Sequence, residues 1–168
     1  VDKRIHIVAT GDNLVQTAVY KNAQQLAGDG ASYDFKPMYE NVRHIIEGAD
    51  VSIINQETLI CNGEYEVSGS NFNFNSPVEL GQDMIDLGFD VFTIANNHVL
   101  DKGVGGLSAT LDYWDEKSQL NDIVVCGAYR NEADANNIRT MEVDGVTIAF
   151  LAYTEHMNGY KMPSDSEM

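Results

Sequence analysis

Proline, cysteine and basic side chains are scarce: three Pro, two Cys and ten Lys and Arg against 26 Asp and Glu in 168 residues. So few prolines, with 43% apolar content, exclude a Pro-rich or disordered chain and fit a folded domain with a substantial core. Cys61 and Cys126 fall in no CxxC and beside no other ligand type at zinc spacing, which excludes a disulfide framework and a zinc finger. They read as buried free thiols, or at most one bridge. The formal net charge of −16 repels nucleic acid and anionic membrane surfaces, so nucleic acid is not an expected partner. The acidic residues are scattered, as on a solvated surface. No segment approaches the roughly 18 consecutive apolar residues that span a bilayer, so the chain as given reads as soluble and not membrane-spanning. It also lacks a GxxxxGK[ST] loop, which removes the reading of a nucleotide-binding switch.

The sequence begins without methionine at Val1-Asp2-Lys3-Arg4 and stops in a polar stretch from Met162 to Met168. It reads as a piece of a longer protein, a single partial domain over residues 1–168, with no internal repeat and no interdomain linker.

Strand and helix patterns alternate, which predicts parallel βαβ units and an α/β fold. A first strand is expected at about Arg4 to Thr10, then a helix from Leu14 to Leu26. A second helix runs from Pro37 to about Glu47, with Met38, Val42, Ile45 and Ile46 on one face, and Gly48 ends it. A second strand follows at Val51 to Ile54. The Gly/Asn/Ser-rich stretch from Asn62 to Ser76 reads as a long loop with a short hairpin around Phe72-Asn73-Phe74. Pro77 opens a third helix, which Gly88 ends before a strand at Asp90 to Ala95. A fourth helix covers about Val104 to Ser118, with Leu107, Leu111 and Trp114 in helical register. A strand at Ile123 to Cys126 follows. Two last strands, Ile138 to Val143 and Val146 to Tyr153, are joined through Asp144-Gly145, a two-residue hairpin turn.

Three of these strands run into metal-capable polar residues: the first into Gly11-Asp12-Asn13, the second into Asn55-Gln56-Glu57, and the third into Asn96-Asn97-His98-Val99-Leu100-Asp101-Lys102-Gly103. In an open α/β sheet, ligands collect beyond the carboxyl ends of parallel strands, so endings far apart in sequence converge on one crevice. Asp12 and Glu57 are hard oxygen ligands, Asn97 offers an amide oxygen and His98 an imidazole, a mixture suited to Mn, Fe or Zn ions in a hydrolytic site. Asp12 equally fits a helix N-cap, and Asn55 and Glu57 equally fit a capped loop. Asn96-Asn97-His98 is harder to explain structurally, because three bulky polar groups directly after an apolar strand are costly to bury without partners. Asp101 is placed to orient the His98 ring. His6, His44 and His156 are weaker candidates, and Phe89, Phe92, Trp114 and Phe150 read as core.

At these residues the chain resembles the bacterial capsule synthesis proteins of the CapA/PgsA type, associated with poly-γ-glutamate, whose domain belongs to the calcineurin-like metallophosphoesterase superfamily. The resemblance covers nearly the whole chain: Gly11-Asp12, Ala49-Asp50 through Asn55-x-Glu57, Gly88-Phe89-Asp90 into Ala95-Asn96-Asn97-His98-x-x-Asp101-x-Gly103, then Gly127 and the strand from Val146 to Tyr153. It implies the amino-terminal portion of a metallophosphatase-like α/β/β/α sandwich. It implies divalent metal (Mn, Fe or Zn) on Asp12, Glu57 and Asn97, with His98 as general acid or hydrogen-bond donor to the transition state and Asp101 beside it. The implied reaction is metal-assisted hydrolysis or transfer at an amide or phosphoester bond; the alternative is a non-catalytic assembly or polymer-binding subunit. The implied partners are an envelope polymer, poly-γ-glutamate or related, and other capsule-synthesis membrane proteins. The implied location is extracytoplasmic, with a membrane anchor in the full-length protein. The chain departs from the superfamily where Asn13 and Leu14 follow Asp12 in place of an Asp-x-His pattern, so one histidine ligand is absent. The resemblance further implies histidine ligands from the second half of the domain, which this sequence does not include, so an incomplete metal site and an inactive isolated chain are expected.

Overall fold

The computed structural model describes residues 3–28 and 31–164. Four parallel strands form the central sheet: β1 (Ile7–Asp12), β2 (Val51–Asn55), β5 (Val91–Thr93) and β6 (Val124–Cys126), in the order β1-β2-β5-β6. The intervening chain supplies α1 (Thr17–Leu26), α2 (Lys36–Glu47), the small hairpin β3 (Ser68–Ser70) and β4 (Asn73–Asn75), α3 (Glu79–Asp86) and α4 (Gly103–Leu120). After β6 come a one-turn helix, α5 (Glu132–Ala135), and an antiparallel hairpin, β7 (Arg139–Val143) and β8 (Val146–Phe150).

Strand alternation sorts the apolar residues onto two faces. Ile54 pairs with Phe92 on one face, where they join a core with Ala23 of α1, Ile46 of α2, Leu80 and Met84 of α3, and Leu107, Leu111 and Trp114 of α4. Phe92 and Trp114 are both buried, ring centroids 4.6 Å apart. Truncating either ring costs about 3–5 kcal/mol. Val51, Val91 and Val124 point to the opposite face, against Phe150, Met141 and Ile148 of the β7–β8 hairpin. The hairpin therefore lies on the sheet as a second β layer, giving the expected α/β sandwich. Asp144 (φ 51°) and Gly145 (φ 74°) both occupy the left-handed region that its two-residue turn demands.

Several boundaries differ from those expected. β1 begins at Ile7 and continues through Asp12, because the ladder with β2 resumes at Asp12 opposite Asn55 after an irregularity following Ala9. α1 begins only at Thr17, and its N-cap position, Gln16, makes no side-chain capping bond; Asp12 does not cap it. β5 ends at Thr93 although the apolar run continues to Ala95, and Ile94 keeps one backbone bond, to the Cys126 carbonyl at 2.9 Å. α5 has no apolar periodicity to announce it; its sequence signal is the capping side chain of Asn131, which accepts from the Asp134 N–H at 3.0 Å. Cys61 and Cys126 are free and buried, and burial pushes the Cys61 thiol up to about 11. No helix among the described residues is long and apolar enough to cross a membrane.

Candidate functional site

Parallel pairing brings the carboxyl ends of β1, β2 and β5 to one edge of the sheet, and the polar residues that follow them close into a compact cluster. Its centre is His98, buried at 4% exposure between two carboxylates. Nδ1 lies 2.8 Å from Asp101 Oδ2, and Nε2 lies 3.7 Å from Glu57 Oε1. An ionised carboxylate only accepts, so the short contact places a proton on Nδ1 and leaves Nε2 directed at Glu57.

Each member is held by neighbours. Asn96 Oδ1 accepts from the His98 backbone N–H at 2.9 Å, and its Nδ2 donates to the Gln56 and Ile94 carbonyls, tying the turn after β5 to the segment after β2. Asp101 Oδ2 also accepts from the Phe74 N–H at 2.8 Å, and Asn73 Nδ2 donates to the Asp101 carbonyl. The β3–β4 hairpin thus buttresses the histidine loop. Asp12, exposed at the end of β1, accepts from Asn55 Nδ2 at 2.7 Å. Burial first, and the negative charge of Asp12 second, hold the Glu57 carboxyl above its usual range, while His98 pulls it back down. Burial likewise raises Asp101 against the opposing pull of its hydrogen bond to His98.

Asn97 is half-buried, and its Nδ2 donates to Asn158 Oδ1 at 3.1 Å; Asn158 Nδ2 lies 3.4 Å from His98 Nδ1. Asp12, Glu57, His98 and Asp101 are therefore brought together directly, and Asn97 joins them through Asn158. Asn158 is absent from the expected site, since nothing in the sequence around it distinguishes it from a loop asparagine. A buried network behind Asp12 is also unexpected: Tyr39 donates to Asn13 Oδ1, Asn13 Nδ2 donates to Gln56 Oε1, and Gln56 Nε2 donates to Thr58, with N–O and O–O distances of 2.8–3.0 Å. Burial pushes the Tyr39 hydroxyl up to about 12, so it stays a donor. His6, His44 and His156 are exposed and outside the cluster. An apolar hollow of about 380 Å³ borders the site, with Val99, which follows His98, and Met157, which precedes Asn158, in its wall.

Asp12 and Glu57 offer hard oxygens to a cation, and Glu57 Oε2 is buried with no hydrogen-bonding partner, the kind of atom that a bound ion relieves. Yet among the described residues no group of three or more His, Cys, Asp and Glu is arranged to hold a metal ion. The amide of Asn97 is turned to Asn158.

The sequence model of one family, described as the bacterial capsule synthesis protein PGA_cap, matches residues 6–168. The chain belongs to that family. It is similar to the uncharacterized protein y4uA of Sinorhizobium fredii (strain NBRC 101917 / NGR234), 29% identical over 152 residues that cover 87% of this chain and 29% of that protein. It is also similar to the capsule biosynthesis protein CapA of Bacillus anthracis, 31% identical over 91 residues (54% of this chain, 21% of that protein). A third relative is the PGA biosynthesis protein CapA of Bacillus subtilis (strain 168), 26% identical over 145 residues (86% of this chain, 36% of that protein). The chain spans less than a third of the length of y4uA.

Proposed function

We propose that this capsule-synthesis chain carries the acid–base part of a metallophosphoesterase-like site for hydrolysis or transfer at an amide or phosphoester bond of an envelope polymer, poly-γ-glutamate or a relative. The observation that carries the reading is the Asp101–His98–Glu57 relay, buried at the carboxyl ends of parallel strands with the Asp12 carboxylate beside it. Asp101 holds the His98 proton on Nδ1, so Nε2 is the atom that exchanges a proton with the reacting group. Glu57 Oε1, across from Nε2, favours the imidazolium that forms when Nε2 is protonated. Asp12, Glu57 and Asn97 are the residues that would hold a divalent ion, Mn, Fe or Zn. Such an ion supplies a water nucleophile active near neutral pH.

The experiment is made in the full-length protein and compares His98→Ala and Glu57→Ala with the unsubstituted form, loaded with Mn, Fe or Zn and assayed on phosphoesters and γ-glutamyl peptides. Loss of general acid catalysis lowers kcat by about 10²–10⁴-fold in His98→Ala with metal content retained, whereas Glu57→Ala loses metal. The absence of a complete ligand group among the described residues favours a second reading, a non-catalytic assembly or polymer-binding subunit on the same fold. Under that reading the protein takes up no stoichiometric metal, and His98→Ala changes stability without changing capsule output at equal protein abundance.

A further inference from the structure

The tip of the β3–β4 hairpin is built against its own sequence. Ser70 pairs with Asn73, which leaves Asn71 and Phe72 as a two-residue turn, and both have positive φ, 56° and 55°. Such a turn favours glycine at its second position, and a bulky side chain there is an outlier among left-handed residues. Asparagine tolerates the conformation; phenylalanine is disfavoured. The strain is not offset by packing, because Phe72 is 77% exposed. A large ring is thus held in water at a position where a smaller residue would fold better.

The surroundings of the ring connect it to the site. Asn73 donates to the Asp101 carbonyl, and the Phe74 ring lies against His98, centroids 4.7 Å apart. Asn73 Oδ1 also accepts from Lys102 Nζ, the one hydrogen bond that the part-buried Lys102 makes through its side chain among the described residues. A chain with a net charge of −16 therefore presents an exposed aromatic ring at the hairpin tip and, hydrogen-bonded to the residue that follows it, the ammonium of Lys102 from the turn before α4.

We propose that Phe72 and Lys102 form a substrate-contacting pair for a carboxylate-bearing aliphatic chain, the ring covering its methylenes and the ammonium its carboxylate. This rests on the reading of the His98 crevice as a polymer-processing site, and it adds residues that determine which chain enters it.

The test uses a fluorescently labelled γ-linked glutamyl oligopeptide as the probe, titrated into the parent protein, Phe72→Gly, Phe72→Leu and Lys102→Gln, with the melting temperature of each. Phe72→Gly raises Tm, because glycine adopts the turn without strain, and weakens probe binding at least about tenfold. Phe72→Leu, which keeps apolar surface, binds between the two. Lys102→Gln weakens binding and flattens its dependence on salt. The proposal is overturned if the parent protein does not bind the probe, if Phe72→Gly binds it as well as the parent, or if Phe72→Gly lowers Tm, which would make the ring a folding element. Binding without cleavage under any metal would remove the catalytic reading and leave this contact standing; cleavage at an unchanged kcat/KM in Phe72→Gly would do the reverse.

Discussion

The ring of Phe74 meets the imidazole of His98 edge to face, at 80° and 4.7 Å between centroids, while the Phe74 N–H donates to Asp101 Oδ2. One residue of β4 therefore restrains both members of the His98–Asp101 pair, the imidazole through its ring and the carboxylate through its backbone. Phe74→Leu keeps an apolar side chain and the backbone bond, so it is expected to cost less than Phe74→Ala, which costs about 3–5 kcal/mol. Proton NMR checks the orientation directly: the ring-current shift of the His98 carbon-bound protons is lost in Phe74→Leu while denaturant stability falls less than in Phe74→Ala.

Asp101 fixes which His98 nitrogen carries the proton. Because Oδ2 also accepts from the Phe74 N–H, an asparagine would keep its oxygen there, so the informative variant is Asp101→Leu, which removes the acceptor; the expected outcome is a shift of neutral His98 away from the Nδ1-protonated tautomer. The imidazole ¹⁵N chemical shifts report it. The same variant loses activity more than Phe74→Leu does, because the proton then sits on the wrong atom while the ring stays in place.

How far the cluster is legible in sequence depends on how local its causes are. Asn96-Asn97-His98 stands out because a five-residue apolar run ends in groups that need partners, and Asp101 follows at a spacing that one tight turn closes. The order of parallel strands then places Asp12 and Glu57 with them. Asn158 reaches His98 from 60 residues away, after the irregular segment that follows β8, and no periodicity encodes that return. Gln56 is invisible for another reason: between two candidate ligands it reads as a loop residue, yet it is almost fully buried and its role comes from Asn13 and Thr58, which only the β1–β2 pairing and the following turn bring to it. The start of α1 is misread because Leu14 and Val15 continue an apolar pattern that tertiary burial of Val15, rather than a helix, satisfies.

The buried Tyr39–Asn13–Gln56–Thr58 chain predicts a cost out of proportion to the size of its residues. Asn13→Ala removes the acceptor of Tyr39 and the donor to Gln56 Oε1 at once, and Gln56 is 2% exposed. Leaving a buried polar group unpaired costs about 1–3 kcal/mol. Denaturant titration should show that loss with an unchanged m-value. Asn13→Asp does not restore it, since a carboxylate accepts from Tyr39 but cannot donate to Gln56.

Glu57 makes stability depend on pH in a direction opposite to that of a salt-bridged carboxylate. Burial, then the charge of Asp12, raise its folded-state pKa above the model-peptide value of 4.5. The folded protein therefore holds this proton to a higher pH than the unfolded chain does, and stability falls as pH rises from the unfolded value through the folded one. Below the unfolded pKa the group is protonated in both states and costs nothing. Glu57→Gln mimics the protonated form at every pH, so the variant should gain stability on the parent as pH rises from 4 to 7 and show little gain at pH 4. Urea unfolding of both proteins at each pH, with a chelator present, measures the difference. A gain that is constant across the range would place the effect in packing rather than in the buried charge, and a loss at pH 7 would mean that the ionised carboxylate is stabilised by His98 more than burial and Asp12 oppose it.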